Sequence, residues 1–143
     1  MSRVRDIVQD RELFFVEENH SVARVARRMV ELHVGAILVL NGEQLKGVFS
    51  ERDLMKRVVL ERLDPDQTPV SSVMSTNIAT IDESATLEEA MEAMRERNCR
   101  HLPVTREGRV VNFLSMRDLM NFELASKTDE VHHMRAYIHG SGT

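Results

Sequence analysis

Two phrases in this 143-residue chain hold side chains that can do chemistry. They are Ser50-Glu51-Arg52-Asp53-Leu54-Met55 and Ser115-Met116-Arg117-Asp118-Leu119-Met120. Each follows an apolar run and sets a hydroxyl, a guanidinium and a carboxylate within one helical turn. A serine with an acid three residues on is first of all a helix start. Its hydroxyl accepts from an orphan backbone N–H and the acid reaches back, stabilising the helix by about 1 kcal/mol. The same groups suit a ligand. A helix N-terminus with free N–H groups, a hydroxyl and an arginine fits a phosphate. A carboxylate one turn further in can accept both hydroxyls of a vicinal diol such as ribose. Capping and binding are compatible, because the serine can cap when the site is empty and meet phosphate when it is filled.

The phrase recurs because the chain is duplicated. Asp53 and Asp118 lie 65 residues apart, and the same offset needs no gap for about 40 residues upstream. It matches Val39 with Val104, Met29 with Met94, Ser21 with Thr86 and Val16 with Ile81. One residue slips further back, where Val4 and Ile7 match Val70 and Val73.

Each copy reads as strand, helix, strand, strand, helix. In the first, Leu13 to Val16 is a short strand. Ser21 caps a helix with Val22, Val25, Ala26, Met29 and Leu32 inward. Gly35 releases the chain into the buried strand Ala36 to Leu40, Asn41-Gly42 is a hairpin turn, and Leu45 to Phe49 returns. A helix from Glu51 turns Leu54, Val58 and Leu60 to the core. In the second copy Ile78 to Ile81 is the strand, and Thr86 with Glu89 is a capping box. That box opens a helix with Leu87, Ala90, Met91 and Met94 inward, and a hairpin comes next around Glu107-Gly108. Leu54-Met55 and Leu119-Met120 are assigned to the core. Val30, Val59 and Leu119 are also available for an outer face of the helices.

The expected fold class is therefore α+β (mixed α/β), with repeats over 1–66 and 67–123 and an extension over 124–143. The proline-bearing stretch Arg62 to Pro69 is the join. In the extension, Val131, Met134 and Ile138 come after a Thr128 cap as a short amphipathic helix.

Composition narrows the function. A formal net charge of −4 and a pI near 5.9 argue against non-specific nucleic-acid binding, which needs a positive field. No apolar run reaches the length needed to span a bilayer, and the N-terminus lacks a signal-peptide core. A single cysteine forbids an internal disulfide. The expectation is a soluble, cytoplasmic protein.

The phrases VRDIV, VSSVM and GVFSERDLM, and RHLPV followed by VVNFLSMRDLM, resemble a tandem pair of CBS domains (a Bateman module) over about residues 4 to 122. The resemblance implies two βαββα repeats related by a pseudo-twofold axis. It implies two clefts between them for an adenosine-containing ligand: AMP, ADP, ATP, NAD or S-adenosylmethionine. Carried onto this sequence, the phosphate and ribose contacts fall on Ser50, Arg52 and Asp53, and on Ser115, Arg117 and Asp118. The base pocket falls on Gly35, Ala36 and Ile37, and on Arg100, His101 and Leu102. Crossing residues from the other copy bring Asn77 and Ile78 towards Asp53, and Leu13 and Phe14 towards Asp118. The family's glycine three residues before the serine is Gly47 in copy one but Asn112 in copy two. The Asp53 cleft, with its smaller and more apolar wall, is favoured for the adenosine end. Arg100, His101 and Arg117 make the other cleft richer in phosphate partners.

The implied role is a ligand sensor in signal transduction. It would bind no catalytic cofactor, form a homodimer of unspecified orientation, and act through a separate downstream protein. The main rival is a purely structural dimerising unit with vestigial clefts. An enzyme is disfavoured, because no base and base-orienter recur beside both serines. A metal site at His132, His133 and His139 is disfavoured too, since adjacent helical histidines diverge by about 100°. Cys99, matched to Val34, reads as a core thiol.

Overall fold

The computed structural model describes residues 1–126; the helix expected after Thr128, and His132, His133 and His139, lie outside them. The chain opens with α1 (Val4–Val8). Then come β1 (Phe15–Glu17), α2 (Val22–Leu32), β2 (Ala36–Asn41), β3 (Gln44–Ser50) and α3 (Glu51–Asp53), which runs into a π-helix over Leu54–Val59. A 3₁₀ turn at Val70–Ser72 leads to β4 (Ile81–Asp82), α4 (Leu87–Arg97), β5 (His101–Arg106) and β6 (Arg109–Ser115). A final helix, α5, spans 116–126. The expected α+β class with two equivalent units is what forms.

Each unit is a three-stranded sheet, β1-β2-β3 or β4-β5-β6. The first pair is parallel and the second is an antiparallel hairpin. The repeat extends to irregularities. The hairpins slip register between Val39 and Leu40 and between Val104 and Thr105, the same two places 65 residues apart. Both first helices start at a hydroxyl cap, Ser21 or Thr86, and both end in a left-handed residue, His33 or Asn98. Removing the Thr86 hydroxyl would orphan the Glu89 N–H. Thr86→Ala is expected to cost about 1 kcal/mol in chemical denaturation.

The units are interlocked by their leading segments. Val4 and Val8 of α1 are buried with Ile81, Ala90, Met94, Leu102 and Leu114 of the second unit. Val70, Val73 and Met74 are buried with Val25, Met29, Ile37, Phe49 and Val58 of the first. The backbone bonds that hold the two crossings match. Val4 N–H donates to the Ala85 carbonyl and Arg5 N–H to Glu83, while Val70 donates to His20 and Ser71 to Glu18. Each core is thus completed by chain from the other end of the duplication, as halves too small to bury enough surface alone require.

Several local expectations need correction. The first strands begin later than their apolar runs, at Phe15 and Ile81, because only these residues pair with β2 and β5. The first hairpin loop is Gly42-Glu43, since Asn41 pairs with Gln44. Leu60 is 73% exposed, and Met55, Met91 and Met120 also face solvent, whereas Leu119 is buried. The π-helix explains part of this. Its wider turn keeps Val58 in the core and carries Val59 and Leu60 outward. Cys99 is only partly buried, packed on the edge of the second core as Val34 is on the first.

Candidate functional site

The two Ser-x-Arg-Asp phrases sit at the ends of β3 and β6, where the chain turns into α3 and α5. At each end the edge of the preceding strand lies alongside. Ala36 pairs with Ser50, and His101 with Ser115. Glu51 N–H donates to the Gly35 carbonyl and Met116 N–H to that of Arg100, both near 2.9 Å. The chain thereby brings Gly35, Ala36, Ser50 and Asp53 together, and Arg100, His101, Ser115 and Asp118 likewise. Ile37 and Leu102 are 1% and 0% exposed. Their side chains belong to the cores, which leaves only their backbone for a ligand. Arg52 and Arg117 are exposed.

Asp53 is buried; its hydrogen bonds all come from neutral donors, with Arg57 alongside as a longer ion-pair partner. Its Oδ2 accepts from Ser50 N–H and Ser50 Oγ, each at 3.0 Å, and its own N–H donates back to Ser50 Oγ. Its Oδ1 accepts from Ser75 Oγ at 3.1 Å, while Arg57 Nε stands off at 3.7 Å. Ser75 comes from the other half, as the crossing requires. Asn77, expected here too, is exposed, and its Oδ1 accepts from Arg97. Ile78 is half-buried.

Asp118 repeats the capping box, accepting from Ser115 N–H at 2.8 Å. Its free edge, however, is taken by Arg11, whose two terminal nitrogens donate to the two carboxylate oxygens at 2.8 and 3.0 Å. Arg11 lies 107 residues away in sequence, and no pattern singles it out. Burial works against the Asp118 charge, but the bonds from Arg11 and Ser115 outweigh it and hold the carboxyl below its ordinary 3.8. A depressed pKa stabilises the fold above the unfolded value, and that contribution fades as pH falls through the folded one. Arg11→Ala should therefore raise the Asp118 pKa in a carboxyl NMR titration; an unchanged value would show that the pair does not persist in solution.

One substitution contributes to the asymmetry, alongside the crossing residues themselves, Ser75 in one case and Arg11 in the other. In copy one, Gly47 lets the crossing segment come so close that a Cβ there would lie 2.6 Å from Met74 Sδ and 2.8 Å from the Ser75 carbonyl. Val48 and Ser75 then exchange two backbone hydrogen bonds at 2.9 Å. In copy two the buried Asn112 takes the place of that bridge. Its Oδ1 accepts from Phe113 N–H, and its Nδ2 donates to the Val8 and Arg11 carbonyls. The glycine gives direct contact and a serine at the aspartate. The asparagine gives a spacer and an arginine.

His101 lies over Phe113, ring centroids 5.2 Å apart. Burial lowers its pKa despite the nearby Asp118, so it is neutral at pH 7 and brings no charge to a phosphate. The cations of this site are Arg11, Arg100 and Arg117.

Residues 4–60 and 70–125 match the model of the CBS domain. The chain belongs to the CBS-domain family. It is 30% identical over 128 residues to the CBS domain-containing protein YhcV of Bacillus subtilis, covering 90% of each chain. It spans only 20% of CBSCBSPB1 of Arabidopsis thaliana, to which it is 36% identical over 106 residues. Among solved structures, a CBS-domain protein from Burkholderia ambifaria superposes with TM-score 0.82 at 29% identity, over 87% of this chain and 95% of that one. The CBS domain protein PAE2072 of Pyrobaculum aerophilum, solved as a complex with AMP, gives 0.74 at 28% identity over 87% and 99%. Two tandem CBS repeats account for the duplication. No helix among the described residues is long and apolar enough to cross a membrane.

Proposed function

We propose that this CBS pair is a non-catalytic sensor of an adenosine nucleotide, AMP-type or NAD, and that its first-filled site is at Asp53. In this reading it is a cytoplasmic protein that signals by a change in how its interlocked halves sit, which a separate protein reads. A ligand shifts such an equilibrium only by its differential affinity for the two shapes. Chemistry at both strand ends supports the reading, as does the AMP complex of a relative 28% identical. The observation that carries the choice of site is the contrast between the aspartates. Asp53 is held by hydroxyls and a backbone N–H, which a ribose diol can replace like for like. Asp118 is closed by a bidentate arginine.

At Asp118 a diol must first displace Arg11, and the partner that arginine can take in exchange is a phosphate. That site therefore favours ligands with more phosphate, the Asp53 site those with less. Titration calorimetry against AMP, ADP, ATP, NAD and S-adenosylmethionine tests the proposal. One AMP per chain is expected with the native sequence, and a second should bind to Arg11→Ala. No binding by any of the five to folded protein would sink the sensor reading. It would favour a structural module, whose aspartates serve only the helix caps they already form.

A further inference from the structure

Three arginines of α2 line a groove that neither Ser-x-Arg-Asp phrase enters. Phe15, His20, Arg24, Arg27, Arg28 and Glu31 enclose about 350 Å³ there. The four charged residues fall at i, i+3, i+4 and i+7, so they share one stripe of the helix, and all are exposed. Arg28 is already engaged. It pairs with Glu31 at 3.5 Å, and its guanidinium stands 6.0 Å from the centroid of the Phe14 ring. Arg24 and Arg27 form no ion pair among the described residues. Two cations without a counter-ion therefore line the groove, beside a third that a ring and a carboxylate hold in place.

The second repeat serves as an internal control. At the offset of 65 it has Thr80 for Phe15, Ala85 for His20, and Glu89, Glu92 and Ala93 for the three arginines, so the fold requires none of this equipment. In α4 the charges follow the helix dipole. Glu88 and Glu89 are in the first turn, Arg95 and Arg97 in the last, and Glu89 closes a capping box with Thr86. In α2 the order is reversed: the first turn has no acid, the last turn has no base, and Arg24 stands where the box needs a glutamate. An arginine there opposes the dipole and forgoes half of the cap, a local cost to the helix that a bound anion offsets.

We propose that this groove binds an oligophosphate, two or three phosphoryl groups in a chain, either free or as the tail of a nucleotide. Guanidinium forks match phosphate oxygens in geometry as well as charge. Arg24 and Arg28 lie about 6 Å apart along the helix axis, so a chain of phosphates reaches both where a single phosphate meets one. A compact anion suits the site better than an anionic polymer. The groove is small, the matching face of the second repeat is acidic, and the whole chain carries a net charge of −4. Neither Asp53 nor Asp118 contributes, and nothing in this site depends on the adenosine reading.

Calorimetry of the full chain with tripolyphosphate, orthophosphate and ATP tests it, with the His20 ring followed by NMR and circular dichroism to show that each variant is folded. Burial and Arg24 hold the His20 pKa below its ordinary 6.5, against an opposite pull from Glu17. Tripolyphosphate should raise that pKa by placing negative charge beside the ring, and should bind at least about tenfold tighter than orthophosphate. Arg24→Gln with Arg27→Gln should weaken tripolyphosphate by at least about tenfold and remove the His20 response. Asp53→Asn should change neither. ATP that acts on His20 at lower concentration than tripolyphosphate identifies a nucleotide tail, and ATP that does not identifies a free oligophosphate; both support the site. Without any ligand, Arg24→Glu should raise the melting temperature by about 2–5 °C, because it supplies the box that Thr86 and Glu89 form in α4. Four results would overturn the proposal. They are a His20 pKa unmoved by tripolyphosphate, equal affinity for tripolyphosphate and orthophosphate, binding that survives loss of both arginines, and an Arg24→Glu variant that melts below the native protein. The third would place the anion at Arg11, Arg100 and Arg117, and the fourth would make Arg24 a part of the fold.

Discussion

Asp53→Asn is expected to lower AMP affinity by roughly 30- to 150-fold while leaving the protein folded. The carboxylate is the group in the first site that can accept from both ribose hydroxyls. Losing charge-assisted bonds of this kind costs about 2–3 kcal/mol. The amide keeps one oxygen for Ser50 N–H and Ser50 Oγ, which now meet at Asp53 Oδ2. Its NH₂ turns towards Ser75 Oγ, which can accept instead of donate. The cap is weakened rather than lost, a cost of about 1 kcal/mol at most. Calorimetry for affinity and thermal unfolding without ligand separate the two effects. Asp118→Asn is the contrasting variant. Its carboxylate is already occupied by Arg11, so AMP affinity at the first site should be unchanged. Equal losses in both variants, or none in Asp53→Asn, would remove the assignment of the first site.

How much of this was legible in sequence depends on the distance over which each feature is decided. The helix starts at Ser21, Ser50 and Thr86 are local, set by a hydroxyl and its neighbours within one turn, and all three form as expected. The duplicated class of fold was legible for the same reason, since an offset of 65 residues repeats the strand, cap and helix signals together over about 40 residues. Strand limits were not, because Phe14 is as apolar as Phe15 and only pairing with Leu38 separates them. Nor was the burial of the second helices. Periodicity assigns Leu60 inward on a 3.6-residue turn, and the π-turns from Leu54 to Val59 break that period. Arg11 was invisible in principle. Its partner is set by a crossing of the halves, and nothing in the surrounding residues marks it out from the chain's other arginines. The one sequence signal for it was indirect. It was the exchange of Gly47 for Asn112, a departure from the family pattern whose consequence only the three-dimensional contacts reveal.

That exchange also predicts a large effect on stability. Gly47→Ala should destabilise the protein by about 2–3 kcal/mol, lowering its melting temperature by roughly 5–15 °C. The new methyl would sit 2.6 Å from Met74 Sδ, which can swing, and 2.8 Å from the Ser75 carbonyl, which is backbone and cannot. The crossing segment must retreat. The retreat breaks the paired Val48–Ser75 bonds and draws Ser75 Oγ away from Asp53. Met74 moves with it, opening the first core where it packs beside Val70 and Val73. AMP affinity should fall as well, because the side chain that orients Asp53 goes with the strand. In copy two the reverse change, Asn112→Gly, should destabilise through lost hydrogen bonds and not through crowding, leaving the Arg11 carbonyl without its side-chain donor while the Val8 carbonyl keeps only the Arg11 N–H. The two variants thus separate two ways of joining the halves. If Gly47→Ala melts as the native protein does, the close approach at Val48 is not a feature of the fold, and the two sites must differ for another reason.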